Sequence, residues 1–409
     1  MKAGLSLAIF AFAWVLIAVR RLPVLPIGRT FGALLGATLL VLVAGFAPDA
    51  ACHAVDGNTL ALLFGMMVLQ VELDASGLLD AATVAIARRG WSATRLLCVV
   101  LCGAGVLSAL LVNDAVCLMA TPLVARLCRK GGLPPLPFLL AVAIGSNVGG
   151  TMTAVGTPQC VLIERFSGLG YAGFSRVMAP VGLGLLAVSS AFCAFVFRRS
   201  LAGRRVAPVE AGTPVDAVRA RAFLVSIGAV VVGFLAGLPL AWTALAGACL
   251  DVVLRRADAR DTLARVDLPL LVFFAALFVL VGGIVEAGWV DRAVGGLSTW
   301  LGHDPSRAPW RFAAFSVGAS NVFSNVPFVL VLGHGYPGAS SAFWYQLALS
   351  STLAGNLTLV GSVANLIVAE QAHREGVEIG FLDYFKVGVP LTLLTTAAGI
   401  GLLALFGAA

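Results

Sequence analysis

Four tracts of this chain combine amides, hydroxyls and helix-breaking residues inside apolar surroundings: VNDAVCLMATP (112–122), SNVGGTMTAVGTPQ (146–159), SNVFSNVPFVL (320–330) and AGNLTLVGSVANL (354–366). Asn, Ser and Thr side chains supply neutral hydrogen-bond donors and acceptors. Gly149, Gly150, Gly156 and Pro158 would break one helix, and Gly355 and Gly361 another. Unwound backbone exposes N–H and C=O groups to a ligand, while the positive N-terminal ends of helix halves attract anions. The candidate substrate- and ion-binding residues are therefore Asn113, Asp114, Ser146, Asn147, Thr151, Thr153, Gly156, Thr157, Ser324, Asn325, Asn356, Thr358, Gly361, Ser362 and Asn365. Asn113, Asp114, Thr153, Ser324, Asn325 and Thr358 are the ones expected to hold Na+ if sodium is the coupling ion. Small residues also permit close helix packing, but four such tracts, paired across the chain, point to a site.

Ionisable groups at membrane depth are expensive and functional by default. Asp114 is the foremost of them, a candidate cation or proton site. Glu72, Asp74 and Glu286 fall late in apolar runs and suit a membrane interface. His53, His303, His334 and His373 lie near loops or ends, where solvated roles are expected. The eight cysteines sit mostly inside apolar runs without metal-ligand spacing and read as core residues.

The elements that must position these residues are membrane-embedded. The chain is 60% hydrophobic and 11% charged, against about 25% charged in a soluble domain, and its mean hydropathy is +0.99. At about 20 apolar residues per span, its 409 residues hold about ten spans and leave no soluble domain. Apolar runs place crossings at 5–19, 30–47, 59–79, 136–163, 174–197, 222–238, 240–254, 268–290, 344–369 and 384–407. The run from Leu5 to Val19 lacks a small-residue cleavage site and reads as a retained span. Two further stretches, 93–128 and 311–333, carry polar breaks at Asn113-Asp114 and Ser324-Asn325 and read as re-entrant hairpins. Non-helical backbone is tolerated at membrane depth only when buried in protein or facing water, so these breaks mark a site.

The charge of +7 marks cytoplasmic loops rather than a nucleic-acid partner. With the N-terminus outside, most basic residues, among them Arg20, Arg21, Arg88, Arg89, Arg126, Arg129, Arg255 and Arg265, fall inside. Lys2, Arg165, Arg176, Arg292, Arg307 and Arg311 stay outside. Both termini are then periplasmic. Residues 201–219 form a cytoplasmic linker between residues 1–200 and 220–409, and the two flanking segments resemble each other. Val55-Asp56, Gly77 and Asp80 recur as Val266-Asp267, Gly288 and Asp291; GTMTAVG (150–156) recurs as GNLTLVG (355–361); Val177 and Pro180 recur as Val387 and Pro390. Each half then has an odd number of crossings plus one hairpin, which inverts the second against the first. The expected fold is an all-α polytopic membrane protein of two inverted-topology repeats, with the site near the midplane.

The four tracts resemble the ion-transporter superfamily that contains arsenite permeases, citrate–metal symporters, sodium–proton antiporters and divalent-anion sodium symporters. Asn113-Asp114 followed by Thr121-Pro122 is similar to the Asn-Asp tip of arsenite permeases, where divalent-anion symporters carry Ser-Asn-Thr. Ser324-Asn325-Val326-Pro327 resembles the second tip, and GTMTAVGTP and NLTLVGSVAN resemble the broken-helix loops. The resemblance implies tips and loops jointly forming substrate and cation sites, on a transport domain that moves against a scaffold. The expected function is secondary transport of an anion or oxyanion, citrate-like or arsenite-like, across the inner membrane, coupled to H+ or Na+ by elevator-type alternating access. A cation–proton antiporter is the alternative. No cofactor is expected beyond the coupling ion; the partners are a small anionic substrate and membrane lipid, with a homodimer left open as the assembly. No paired catalytic constellation for a membrane enzyme is present.

Overall fold

The computed structural model describes residues 3–18, 28–207, 214–256, 258–302 and 304–407. Arg20, Arg21, His303 and the middle of the expected linker lie outside that set. The described residues form helices joined by turns, with a single isolated β-bridge, Ser92 to Arg205, and no strand.

Up to the linker the helices are α1 (Ala3–Ala18), α2 (Arg29–Leu42), α3 (Pro48–Ala54), α4 (Gly57–Ala75), α5 (Leu78–Ala87), α6 (Ala93–Leu110), α7 (Asn113–Lys130), α8 (Pro135–Gly149), α9 (Pro158–Ser167), α10 (Gly170–Val196) and α11 (Arg198–Leu201). Beyond it follow α12 (Ala217–Leu235), α13 (Leu240–Arg255), α14 (Ala259–Leu263), α15 (Leu268–Glu286), α16 (Trp289–Leu301), α17 (Pro309–Phe323), α18 (Asn325–Gly335), α19 (Ser341–Leu353), α20 (Val363–Arg374) and α21 (Phe381–Leu405). Among the described residues, six helices (α4, α6, α10, α12, α15 and α21) are individually long and apolar enough to cross a membrane.

Several expected boundaries shift for identifiable reasons. The runs 59–79 and 268–290 each split, because Gly77 (φ 73°) and Gly288 (φ 71°) adopt the left-handed conformation and start α5 and α16. At Gly77 a Cβ would also lie 2.9 Å from the Pro214 carbonyl oxygen. The runs 136–163 and 344–369 are interrupted where the glycines fall, α8 to α9 by residues 150–157 and α19 to α20 by residues 354–362. Thr157 and Ser362 restart the second halves as N-caps, accepting from the N–H groups of Cys160 and Ala364.

The two polar breaks are sharper than the sequence suggests. The first falls at Leu111-Val112, so Asn113 and Asp114 already form the first turn of α7. The second falls on Ser324 alone, leaving Asn325 as the first residue of α18.

Packing centres on the interrupted helices. Residues Pro137–Gly149 of α8 and Phe343–Leu353 of α19 are buried throughout. Helix α6 meets α8 at bare backbone: a Cβ on Gly149 would lie 2.0 Å from the Gly105 carbonyl oxygen, and one on Gly145 2.2 Å from that of Leu101. Only glycine permits such an approach, which fixes the α6–α7 tip against the α8–α9 break. Each tip helix also reaches across the chain: α7 packs on α20, and α18 on α9. Outside these elements, α4, α12 and α13 pack together, as do α1, α2 and α15.

A buried charge cluster ties the first of those groups. The fully buried Glu72 meets Arg255 at 3.0 Å and Arg219 at 3.5 Å, and accepts a 2.6 Å hydrogen bond from Thr262. Arg255 also meets Asp251 at 2.7 Å. Glu72 is therefore a partnered interior group rather than an interfacial one, and Arg255, grouped with loop charges by the sequence, is interior too.

Candidate functional site

The α6–α7 tip is stitched to the first break by backbone-directed hydrogen bonds. The Asn113 N–H donates to the Gly156 carbonyl at 3.0 Å, and the Thr153 hydroxyl to that of Ala109 at 2.6 Å. Ser108 donates to the Ser146 carbonyl at 2.8 Å. Gly156 is required here, since a Cβ would lie 2.6 Å from the Gly150 carbonyl oxygen and 2.9 Å from that of Ser108.

From this corner a side-chain amide network crosses between the breaks. Asn147, 1% exposed, accepts from Asn113 Nδ2 and from the Ser362 hydroxyl, both at 3.2 Å. Its own Nδ2 donates to Asn356 Oδ1 at 3.0 Å and Asn365 Oδ1 at 2.9 Å. Both donor hydrogens and both acceptor lone pairs of Asn147 are thereby used. Asn365 in turn donates to the carbonyls of Gly355 at 2.6 Å and Thr358 at 3.1 Å. Two buried atoms at the edge of this network have no partner among the described residues, the Asn113 Oδ1 acceptor and the Asn356 Nδ2 donor. Buried polar groups are seldom left so, and this pair would suit a group that both donates and accepts. No Lys or Arg belongs to the network.

Asp114 is buried beside it in the first turn of α7, where the helix dipole favours negative charge. It lines a small cavity with Gln70, Arg265, Asp267 and Ile367.

The second tip is held differently. Ser324 adopts φ 66°, ψ 150°, a strained conformation for a residue with a side chain. Asn325 is buried and its Oδ1 has no partner among the described residues. The second break is tied to this tip by Asn321, one turn before it, which donates to the Ala354 carbonyl at 2.9 Å and accepts from the Thr358 hydroxyl at 3.0 Å. Gly361 leaves room for it, a Cβ there lying 2.6 Å from Asn321 Oδ1.

The structure thus joins Asn113, Asn147, Asn356, Ser362 and Asn365 in one network, with Gly156 and Thr153 fixing its corner. Thr358 reaches it through its carbonyl, whereas no hydrogen bond links Ser324 or Asn325 to it among the described residues. Thr151 and Thr157 are occupied with local bonds to the Val148 carbonyl and the Cys160 N–H, whereas the Ser146 hydroxyl donates to the Ala143 carbonyl and also lies 2.9 Å from the Cys117 thiol of α7. Asn321 was not among the candidates, although the Ser320-Asn321 pair inside the second tip tract was the available signal. Gln159 was also missed; it donates to Thr352 at 3.2 Å across the breaks.

Apolar spanning helices, two interrupted helices and a buried amide centre between them define a membrane transporter fold. The chain belongs to the citrate transporter family: the family model CitMHS, Citrate transporter, matches residues 12–346. Its relatives are transporters and not enzymes. It is 30% identical to the silicon efflux transporter LSI3 of Oryza sativa subsp. japonica, over 98% of each chain. Identity to the putative transporter arsB of Dictyostelium discoideum is 25%, covering 94% of this chain and 88% of that one. The crystal structure of the Alcanivorax borkumensis YdaH transporter superposes with a TM-score of 0.57 at 16% identity, over 99% of this chain and 98% of that one, a likeness of fold.

Proposed function

We propose that this protein is a secondary active transporter for a small oxyacid, carried as an oxyanion or as its uncharged hydroxylated form. The observation that carries the reading is the pair of unpartnered atoms flanking Asn147, the Asn113 acceptor and the Asn356 donor. A hydroxyl donates to the first and accepts from the second. A fully charged anion would meet no fixed cation in this network and would rely on helix N-termini and amides alone. The similarity to a silicon efflux transporter supports the same chemical class.

In this reading the two halves are inverted repeats, 93–128 and 311–333 are re-entrant hairpins, and the site moves against a scaffold in an elevator cycle. Supporting the repeat are Asp56 and Asp267, which both cap helices, and Gly77 and Gly288, which both start the next. The chain resides in the inner membrane with the linker cytoplasmic and both termini periplasmic. Labelling of Ala211→Cys and Ala408→Cys, two positions outside the described residues, tests this orientation: reaction from outside at the first, or none at the second, overturns it.

Coupling is assigned to Asp114. A carboxylate at membrane depth is cheapest to move when protonated or cation-bound, and the oxygens of Asn113, Thr153, Ser324, Asn325 and Thr358 are the further candidates for Na+. A cation–proton antiporter is the second reading, favoured by that same buried aspartate. Proteoliposomes separate the two: oxyacid flux of arsenite, silicate or citrate supports the first, and sodium-driven pH change without oxyacid flux supports the second.

A further inference from the structure

Beside the α7 helix lies a cavity of about 310 Å³ that the amide network does not use. This is at the lower end of the roughly 300–1,000 Å³ typical of ligand sites. It shares Gln70, Val71, Leu118 and Arg265 with the smaller cavity that ends at Asp114. Together they follow α7 from Arg126 to Asp114, about 18 Å at the rise of a helix. The path leads from the Arg126 end of the helix to the edge of the amide site.

Its charges come from several elements: Arg126 from α7, Arg265 from the turn before α15, Asp74 and Asp80 from α4 and α5, and Asp114 and Asp267 at the inner end. Both guanidinium groups line the larger cavity, and Arg265 borders the smaller one as well. Guanidinium groups bind oxyanions by charge-assisted hydrogen bonds. The carboxylates repel a fully ionised anion but accept hydrogen bonds from one that retains a hydroxyl.

We infer that this cavity is an access subsite that captures a partly protonated oxyanion between Arg126 and Arg265 before it passes to the amide network. The inference deepens the transport reading and rests on it for its direction. It adds a specificity step: charge is selected in the access cavity, hydroxyl geometry at Asn113 and Asn356. An anionic lipid headgroup offers the same chemistry as a free oxyanion, so the test separates the two sources.

The full chain carrying Leu118→Cys is reconstituted in nanodiscs of zwitterionic lipid, and thiol modification is read by mass at that residue, which lines both cavities and is 44% exposed. Inorganic phosphate is expected to slow modification, and sulfate, which carries charge but no hydroxyl, to slow it less. R126Q and R265Q are each expected to weaken protection about tenfold, as loss of one charge-assisted contact does. R126K and R265K, which keep the charge, restore part of it and control for misfolding. Absence of protection by phosphate, or equal protection in R126Q and R265Q, overturns the subsite. Protection produced by anionic lipid alone, with phosphate adding nothing, assigns the cavity to lipid and overturns it as well. The assay reads binding without transport. Oxyacid flux without protection therefore sinks only the subsite, and protection without any oxyacid flux sinks only the transport reading.

Discussion

The two interrupted helices make an instructive comparison, because similar glycine-rich tracts are held in opposite ways. Residues 150–157 are buried throughout and bonded to the α6–α7 tip through backbone groups at Ala109, Asn113 and Gly156. Residues 354–362 are partly open, with Val360 58% exposed, and are held by side-chain amides, those of Asn147, Asn365 and Asn321, the last being the one that ties them to the second tip. The neighbouring tips follow suit: Leu111 and Val112 are buried, whereas Val322 and Phe323 are 54% and 44% exposed beside the strained Ser324. At matching positions Asn147 holds Asn365, while the Thr352 hydroxyl meets Gln159 at 3.2 Å and Cys160 at 3.9 Å among the described residues. Local opening is cheapest where buried contacts are fewest. The first break is thus the more firmly held side of the candidate site, and opening should cost less at the second tip and break.

The largest expected effect comes from Asn147. Asn147→Ala leaves four buried partners unsatisfied and should cost about 3 kcal/mol or more, against about 1 kcal/mol for Thr352→Ala. Unfolding midpoints in detergent measure both, and equal losses would erase the asymmetry. Next come the glycines. Gly149→Ala drives a Cβ to 2.0 Å from the Gly105 backbone and should cost about 1–3 kcal/mol, whereas at Gly361 the closest atom is on the Asn321 side chain, with the Ala354 and Thr358 carbonyls no nearer than 3.2 Å, and Gly361→Ala should cost less, about 1 kcal/mol.

A smaller effect sharpens the assignment of the more easily opened side. Asn321→Ala removes the tether to Ala354 and Thr358, and amide exchange over 354–362 should rise about tenfold while 150–157 stays protected. A matching rise over 150–157 would mean that the breaks open together. The smallest change is Ser324→Gly, which relieves a left-handed conformation and should stabilise the protein by about 1 kcal/mol. A loss of stability there would show that the Ser324 side chain makes a compensating contact.

How much of this was legible in the sequence follows from what each feature depends on. The interrupted helices were readable, because Gly149, Gly150, Gly156, Pro158, Gly355 and Gly361 act locally, whereas Thr157 and Ser362, read as binding candidates, turn out to cap the second halves. Membership of a transporter family was readable from the same tracts. The place of the first tip, at Leu111-Val112 instead of Asn113-Asp114, was not, because polarity marks the neighbourhood of a break and not the residue that turns. Helices α5 and α16 were not read as elements, since the apolar runs 59–79 and 268–290 take in only their first two residues, although Gly77 and Gly288 signalled the division. Partner choice across distance was out of reach. Nothing in the local sequence pairs Glu72 with Arg255, or selects Asn321 over Ser324 and Asn325 as the tie between the second tip and the second break.

The central claim is that the amide network is the substrate site of an ion-coupled oxyacid transporter, and gradient-driven accumulation in proteoliposomes tests it most directly. Wild-type protein, Asn113→Leu and Asp114→Asn are compared for arsenite and silicate accumulation under imposed proton or sodium gradients. The account predicts that wild type accumulates an oxyacid and that Asn113→Leu, deprived of its acceptor, carries none. Asp114→Asn should still exchange substrate in counterflow but fail to concentrate it. Accumulation by Asn113→Leu at the wild-type rate, or by Asp114→Asn with unchanged pH and sodium dependence, would contradict it.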